Sequence, residues 1–138
     1  MRTAPAVSSI KKILLPITTL ALNQTDFIHR VKELVYFFDA TLHILLINTP
    51  LHFRTDTDAK ASLQKFVEHY TLKDYKVHFK NYRKEEEGII KFADDEQIDL
   101  IAMATHGWKG LVHLVTGSIA EDVVNHIQCP VWTYSISK

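Results

Sequence analysis

Short apolar segments alternate with amphipathic helical patterns along this chain, and no other feature constrains its fold as strongly. The first segment, 12–17, is almost entirely apolar, which indicates a strand buried on both faces. Four further strands are predicted at 42–47, 75–80, 98–103 and 131–134, and helical segments at 25–38, 63–70, 85–93 and 119–127. Parallel neighbours need right-handed crossover connections. The sequence therefore predicts an α/β fold, a five-stranded parallel sheet with helices on both faces.

Three local patterns refine these elements. Thr25 is predicted to be the N-cap of the first helix, with Asp26 in its first turn. The acidic residues at 85–87 fall in the first turn of the third helix, where the helix dipole favours negative charge. Apolar and polar residues alternate over 75–80, which is typical of an edge strand with one face in water. The polar residues of that strand are Lys76, His78 and Lys80.

Composition narrows the class of protein. A chain of 138 residues with 46% hydrophobic content predicts one domain over 1–138, with 1–11 as an N-terminal extension or linker. Sixteen basic residues balance sixteen acidic ones, so neither nucleic acid nor a membrane is an expected partner. No apolar run reaches the roughly 20 residues of a membrane span. Cys129 is the only cysteine, which predicts a packing role and a reducing, cytoplasmic setting.

The richest candidate site follows the fourth predicted strand. Three of the four glycines fall between 107 and 117, and Gly117 directly precedes Ser118. Glycine allows positive φ and lets a ligand approach backbone N–H groups closely. Ser118 and Glu121 form a Ser-x-x-Glu capping box, so a helix is predicted to begin there. The amides and dipole of such a helix start favour an anion, although the same residues also occur as plain turn and cap signals.

The sequence contains few features that would indicate an enzyme. The chain has eight histidines but no His-Glu-x-x-His motif, and His106 and His113 are the only pair near the glycine-bearing loop, so no metal site is predicted. A Gly-x-Ser-x-Gly elbow, a Walker lysine and a Gly-x-Gly-x-x-Gly motif are also missing. The enzymatic alternative is a slow ATPase or phosphotransferase in which His106 or Ser118 takes part. No catalytic residue is predicted.

Several segments together resemble the universal stress protein family. They are Lys-Ile-Leu-Leu-Pro at 12–16, Asp-Leu-Ile-Ala-Met-Ala-Thr-His-Gly at 99–107, Gly-Leu-x-His-Leu at 110–114, Gly-Ser-Ile-Ala-Glu at 117–121 and Cys-Pro-Val at 129–131. The resemblance covers nearly the whole chain and is most specific in its C-terminal third. It implies a Rossmann-like fold of the adenine nucleotide alpha hydrolase type, and in one branch binding of ATP or a related adenine nucleotide, with or without Mg.

The resemblance also implies which residues hold the nucleotide. It assigns phosphate contacts to Gly107, Gly117, Ser118 and the amide of Ile119, and places Met103 and Ala104 along the ligand. It places the nucleoside beside the end of the first strand and gives the adenine edge to the backbone at the end of the second. The residues at those strand ends are Pro16, Ile17, Thr18 and Ile47.

Two positions depart from the nucleotide-binding pattern. That pattern reads glycine, two residues, glycine, nine residues, glycine and then serine or threonine; here Ala104 stands at the first glycine, and the nine-residue interval from Gly107 is intact. The added methyl group resists positive φ and crowds the ligand. Thr18 stands where many members carry an aspartate, so a charge-assisted hydrogen bond of about 1.5–3 kcal/mol is missing. Trp108 replaces a frequent basic residue, while Lys109, His106 and His113 stay as phosphate partners.

The last predicted strand suggests a partner. Val131, Trp132, Thr133 and Tyr134 form an apolar and aromatic segment that is exposed as a sheet edge unless another chain covers it. A homodimer through this strand is expected, as the resemblance also implies; the alternative is that Trp132 packs on its own domain. Three functions stay open: a non-catalytic nucleotide-binding protein of stress response or signalling, a dimeric interaction module without nucleotide, and a slow ATPase. The resemblance is equally compatible with one half of a tandem protein.

Overall fold

The strands and helices alternate as predicted. The computed structural model describes residues 10–17, 22–51, 53–105 and 129–135. The elements within them are β1 (Lys12–Ile17), α1 (Thr25–Phe38), β2 (Thr41–Asn48), α2 (Asp56–Tyr70), β3 (Tyr75–Asn81), α3 (Glu85–Asp95), β4 (Leu100–Thr105) and β5 (Val131–Ser135). The predicted helix at 119–127 lies outside the described residues.

The strands form one parallel sheet in the order β3-β2-β1-β4-β5. The chain first builds outward from β1 to β3, then returns to the other side of β1 for β4 and β5. In this order β1 is the central strand. The direction in which the chain adds successive strands to the sheet reverses between β1 and β4. The five-stranded α/β fold is therefore confirmed. Within the described part of the chain, no helix is long and apolar enough to cross a membrane.

Each face of the sheet carries its own apolar core. Leu42, Ile44 and Leu46 of β2 point to one face, where they join a cluster that includes buried residues of α1 and α2. Leu45 and Ile47 point to the other face and join a cluster with Ile89 and Phe92 of α3. Because alternate side chains of a strand point to opposite faces, a strand covered on both sides is apolar throughout. This explains why polar and apolar residues do not alternate along β2.

Most element boundaries lie within two residues of the predicted ones. The predicted start of the second helix at 63 was wrong, because α2 begins at Asp56 and its first seven residues include no large apolar side chain that would mark it as a helix. The prediction that Thr25 is the N-cap of α1 was wrong, because Gln24 holds that position and Thr25 is the first helical residue. Helix α2 has a capped start, in which the Thr55 hydroxyl accepts a hydrogen bond of 3.2 Å from the Asp58 amide. The acidic first turn of α3 is confirmed.

Strand β3 is an edge strand as predicted, but the prediction of its faces was partly wrong. His78, assigned to water, is half-buried and packs edge-on against Phe92 with ring centroids 4.7 Å apart. Tyr75 and Val77, assigned to the apolar face, are exposed. The helices cover this edge of the sheet only in part, so the burial of a side chain depends on its height along the strand as well as on its parity.

Candidate functional site

The most promising site lies where the sheet reverses direction. In open parallel sheets of this kind, ligands bind beyond the carboxyl ends of the strands at the reversal point. Here that point lies between β1, which ends at Ile17, and β4, which ends at Thr105. The carboxyl end of β2, with Ile47 and Asn48, adjoins it on the other side of β1. The structure therefore brings the predicted residues Pro16, Ile17, Ile47, Met103 and Ala104 to one edge.

Pro16 limits the pairing of β1 with β4 at this edge of the sheet. The carbonyl of Lys12 accepts a hydrogen bond from the Asp99 amide, so the backbone polar groups of Lys12, Leu14 and Pro16 face β4 by strand alternation. Proline has no N–H to donate. The recorded pairs of β1 with β4 are Ile13 with Leu100 and Leu14 with Ile101, and they stop short of the proline. Pro16 thus ends the ladder between these strands before their carboxyl ends.

The backbone of Ile47 faces the same region. Thr41 donates its amide to the Lys11 carbonyl, which shows that the odd-numbered residues of β2 turn their backbone polar groups toward β1. The last pair of these two strands is Ile17 with Leu46. The Ile47 carbonyl consequently points past the end of β1. The side chain of Ile47 is buried, so only the backbone of this residue faces the edge of the sheet.

The remaining predicted residues divide into two groups. Met103 and Ala104 are buried in β4 and pair with Thr133 and Tyr134 of β5. Their strand leads directly to the segment that carries the glycine motif. The other predicted residues lie outside the described part of the chain, and they are Thr18, Gly107, Gly117, Ser118 and Ile119. The same holds for His106 and His113.

Sequence reasoning missed a buried histidine pair. His43 of β2 is 4% exposed, and its Nδ1 lies 3.1 Å from Nε2 of His78 on β3, with the rings stacked. At this distance one nitrogen donates and the other accepts. Burial lowers the pKa of both rings below the ordinary value. Across the described ranges, no three or more potential ligand side chains are grouped to hold a metal.

The aromatic residues of β5 pack on their own domain. Trp132 stacks on Phe27 of α1 with centroids 6.2 Å apart, and on Tyr134 with centroids 5.9 Å apart. Trp132 and Tyr134 are nonetheless only half-buried, and β5 is the last strand of the sheet. Packing within the domain and pairing with a second chain are therefore compatible. Cys129 is buried, as its predicted packing role requires.

Comparison with known proteins gives a consistent family. The family model described as Universal stress protein family matches residues 9–135. A universal stress protein of Methanocaldococcus jannaschii is 44% identical over 43 residues, which are 31% of this chain and 25% of that protein. One of Synechocystis sp. is 39% identical over 49 residues, which are 36% of this chain and 17% of that protein. The chain thus aligns with a quarter or less of the length of these relatives.

Solved structures resemble the whole fold at low identity. A universal stress protein in complex with cAMP has a TM-score of 0.69 at 15% identity, over 93% of this chain and 98% of that one. The protein from Archaeoglobus fulgidus in complex with dAMP has a TM-score of 0.66 at 18% identity, over 89% and 96%. UspA from Lactobacillus plantarum has a TM-score of 0.65 at 20% identity, over 90% and 97%. With the family model matching nearly its whole length, this chain belongs to the universal stress protein family.

Proposed function

We propose that this chain binds an adenine nucleotide at the carboxyl edge of its sheet and acts, without catalysis, in a cytoplasmic stress response or signalling process. The observation that carries the proposal is the early end of the pairing between β1 and β4 at the sheet reversal. Pro16 ends the pairing of β1 with β4 there, and the Ile47 carbonyl points toward the same region. Two relatives of the same fold were solved as complexes with cAMP and dAMP, which supports the class of ligand.

The chemistry of the edge fits a nucleotide in two parts. A backbone carbonyl accepts a hydrogen bond from the amino group of adenine without requiring a particular side chain. The glycines and serine at 107–118 continue from β4 and have the composition of an anion site at a helix start. Residues at the strand ends therefore take the nucleoside and residues after β4 take the phosphates.

Calorimetric titration with ATP, ADP and AMP, with and without magnesium, tests this proposal directly. We expect micromolar affinity for the wild-type chain and its loss in Gly117→Val, because a branched side chain blocks close approach to backbone amides. Ala61→Val places the same side chain at an exposed position of α2 and is expected to leave binding unchanged. Absence of heat at millimolar nucleotide would contradict nucleotide binding. Phosphate release that scales with protein and disappears in Ser118→Ala would contradict the non-catalytic part.

A dimeric interaction module is the second candidate function. Ala104 and Thr18 depart from the nucleotide-binding pattern, and β5 offers an edge to a partner. Ile101 donates its amide to the Pro130 carbonyl at 3.0 Å, so the backbone groups of Pro130 and Trp132 face β4. Those of Val131 and Thr133 consequently face away from the sheet. This edge favours pairing with a second copy of the chain.

Thr133→Pro is expected to convert a dimer into a monomer in light-scattering measurements of molar mass. The substitution removes the outward N–H of an exposed residue without removing a hydrogen bond to β4, and proline is tolerated on edge strands. The matched control is Thr133→Val, which keeps the N–H and the side-chain shape and is expected to stay dimeric. A wild-type chain that is monomeric at high micromolar concentration, or a proline variant that is still dimeric, would refute pairing through β5.

A further inference from the structure

Asn48, the last residue of β2, holds three segments together at the carboxyl edge of the sheet. It is 6% exposed, and its side-chain amide uses both ends. Oδ1 accepts a hydrogen bond of 2.8 Å from the Arg54 amide, and Nδ2 donates one of 2.8 Å to Oδ1 of Asn81. Its backbone carbonyl accepts a further hydrogen bond of 2.9 Å from the Tyr82 amide. One residue therefore connects the end of β2, the connection to α2 and the end of β3.

Pairing with β3, which extends to Asn48 and Asn81, sets the orientation of the peptide group that precedes Asn48, and the side-chain contacts of Asn48 hold this end of the ladder in place. Leu42 donates its amide to the Asp74 carbonyl, so the even-numbered residues of β2 turn their backbone polar groups toward β3. Asn48 continues that pattern through its bond with Tyr82. With Asn48 held against β3, strand alternation directs the carbonyl of Ile47 the other way, past the end of β1. The polar contacts of Asn48 thus position a backbone acceptor that faces the proposed nucleotide.

We propose that Asn48 is the positioning residue for base recognition and sets the preference of the site for 6-aminopurines. This inference rests on the proposed nucleotide-binding function. Adenine carries an amino donor at position 6, whereas guanine carries an oxygen acceptor there. A carbonyl held in a fixed direction bonds the first and repels the second. A carbonyl that can rotate away loses this discrimination, while contacts to the phosphates do not depend on it.

The side chain of Asn48 suits this task because both of its polar atoms are bonded within the protein. Its amide group is nearly buried and engaged at both ends, so it acts through the peptide groups it holds. Alanine at position 48 leaves the Arg54 amide and the Asn81 side chain without these partners. The connection from β2 to α2 then loses its fixed distance from the strand end. The part of the proposed site that binds the base is therefore affected. The residues proposed to bind the phosphates lie in a separate segment of the chain.

The test measures ATP, GTP and tripolyphosphate affinities for the wild-type chain and for Asn48→Ala. We expect Asn48→Ala to weaken ATP binding about tenfold and to reduce the ratio of ATP to GTP affinity by a similar factor, which corresponds to about 1.4 kcal/mol. Tripolyphosphate affinity is expected to stay at the wild-type value. Asn81→Ala is the control, because it removes only the partner of Nδ2 and leaves the bonds to Arg54 and Tyr82. Its ATP to GTP ratio is expected to change less than twofold.

Every other outcome contradicts either the proposed function or the proposed role of Asn48. If the wild-type chain binds no nucleotide, the proposed function fails and this inference falls with it. If the wild-type chain binds ATP but Asn48→Ala keeps the wild-type ratio, or loses ATP and tripolyphosphate alike, only the role of Asn48 is refuted. If Asn48→Ala does not fold, Asn48→Leu serves instead, since it keeps a side chain of similar size and removes both side-chain hydrogen bonds. A wild-type ratio in that variant would also refute the proposal.

Discussion

Lowering the pH from about 8 to about 5 is expected to reduce the free energy of unfolding, with His43 and His78 as the main cause. Burial lowers the pKa of His43, and the neighbouring His78, Lys12 and Lys76 lower it further, while Glu96 acts in the opposite direction. Burial also lowers the pKa of His78, with Lys80 and Lys76 adding to the effect and Glu96 again opposing it. Both rings are therefore neutral in the folded protein at neutral pH.

The direction of the pH effect follows from proton binding. In the unfolded chain both histidines titrate near the ordinary value of about 6.5, so below that pH the unfolded state binds more protons than the folded state. Stability is then full above about pH 6.5 and falls as the pH drops from the unfolded pKa toward the lower folded pKa. Protonation of the second ring also removes the acceptor from the hydrogen bond between Nδ1 of His43 and Nε2 of His78.

Urea unfolding at several pH values between about 5 and about 8 measures this effect. The double variant His43→Leu with His78→Leu is expected to lose most of the pH dependence that the wild-type chain shows between pH 6.5 and 5. His29→Gln changes an exposed histidine of α1 and is expected to leave the pH profile as it is. An unchanged slope in the double variant would show that carboxylates, and not this pair, govern stability in acid.

The sequence predicts the fold well because both faces of the sheet are covered. A strand with a core on each side carries apolar residues on both faces, as β2 does apart from the buried His43, and this pattern is readable without knowledge of the partners. Strand β3 shows where such reasoning stops. The half-burial of His78 comes from Phe92 of α3, a residue of another element that happens to lie over the strand. Local alternation carries no information about that contact.

The candidate site is likewise predictable from the sequence only in part. Pro16 and Ile47 could be assigned to the proposed nucleotide site from family resemblance, but their physical roles depend on strand order. Only the order of the sheet shows that the missing N–H of Pro16 faces β4 and that the Ile47 carbonyl passes the end of β1. No local sequence pattern marks the role of Asn48, because its partner Arg54 lies in the connection to α2 and its partner Asn81 lies on another strand. Residues that act through such contacts leave no local motif.

Gly88→Ala is expected to destabilise the protein by about 1–2 kcal/mol, although alanine favours a helix over glycine by about 1 kcal/mol. Gly88 lies buried in α3 beneath the ring of Tyr82. A methyl group on Gly88 would lie 2.6 Å from Cγ and 2.8 Å from Cε2 of that ring, closer than atoms in contact allow. Rotation of the ring about its own axis does not move Cγ. The side chain or the helix must therefore shift.

Thermal or urea unfolding in two backgrounds separates the steric cost from the helix preference. In the wild-type background the overlap with Tyr82 outweighs the helix preference, so Gly88→Ala is expected to lower stability. In a Tyr82→Ala background the ring is gone, and the same substitution is expected to raise stability by about 1 kcal/mol. The sign of the effect thus reverses between backgrounds. Equal effects in both would mean that the ring of Tyr82 does not set the requirement for glycine at this position.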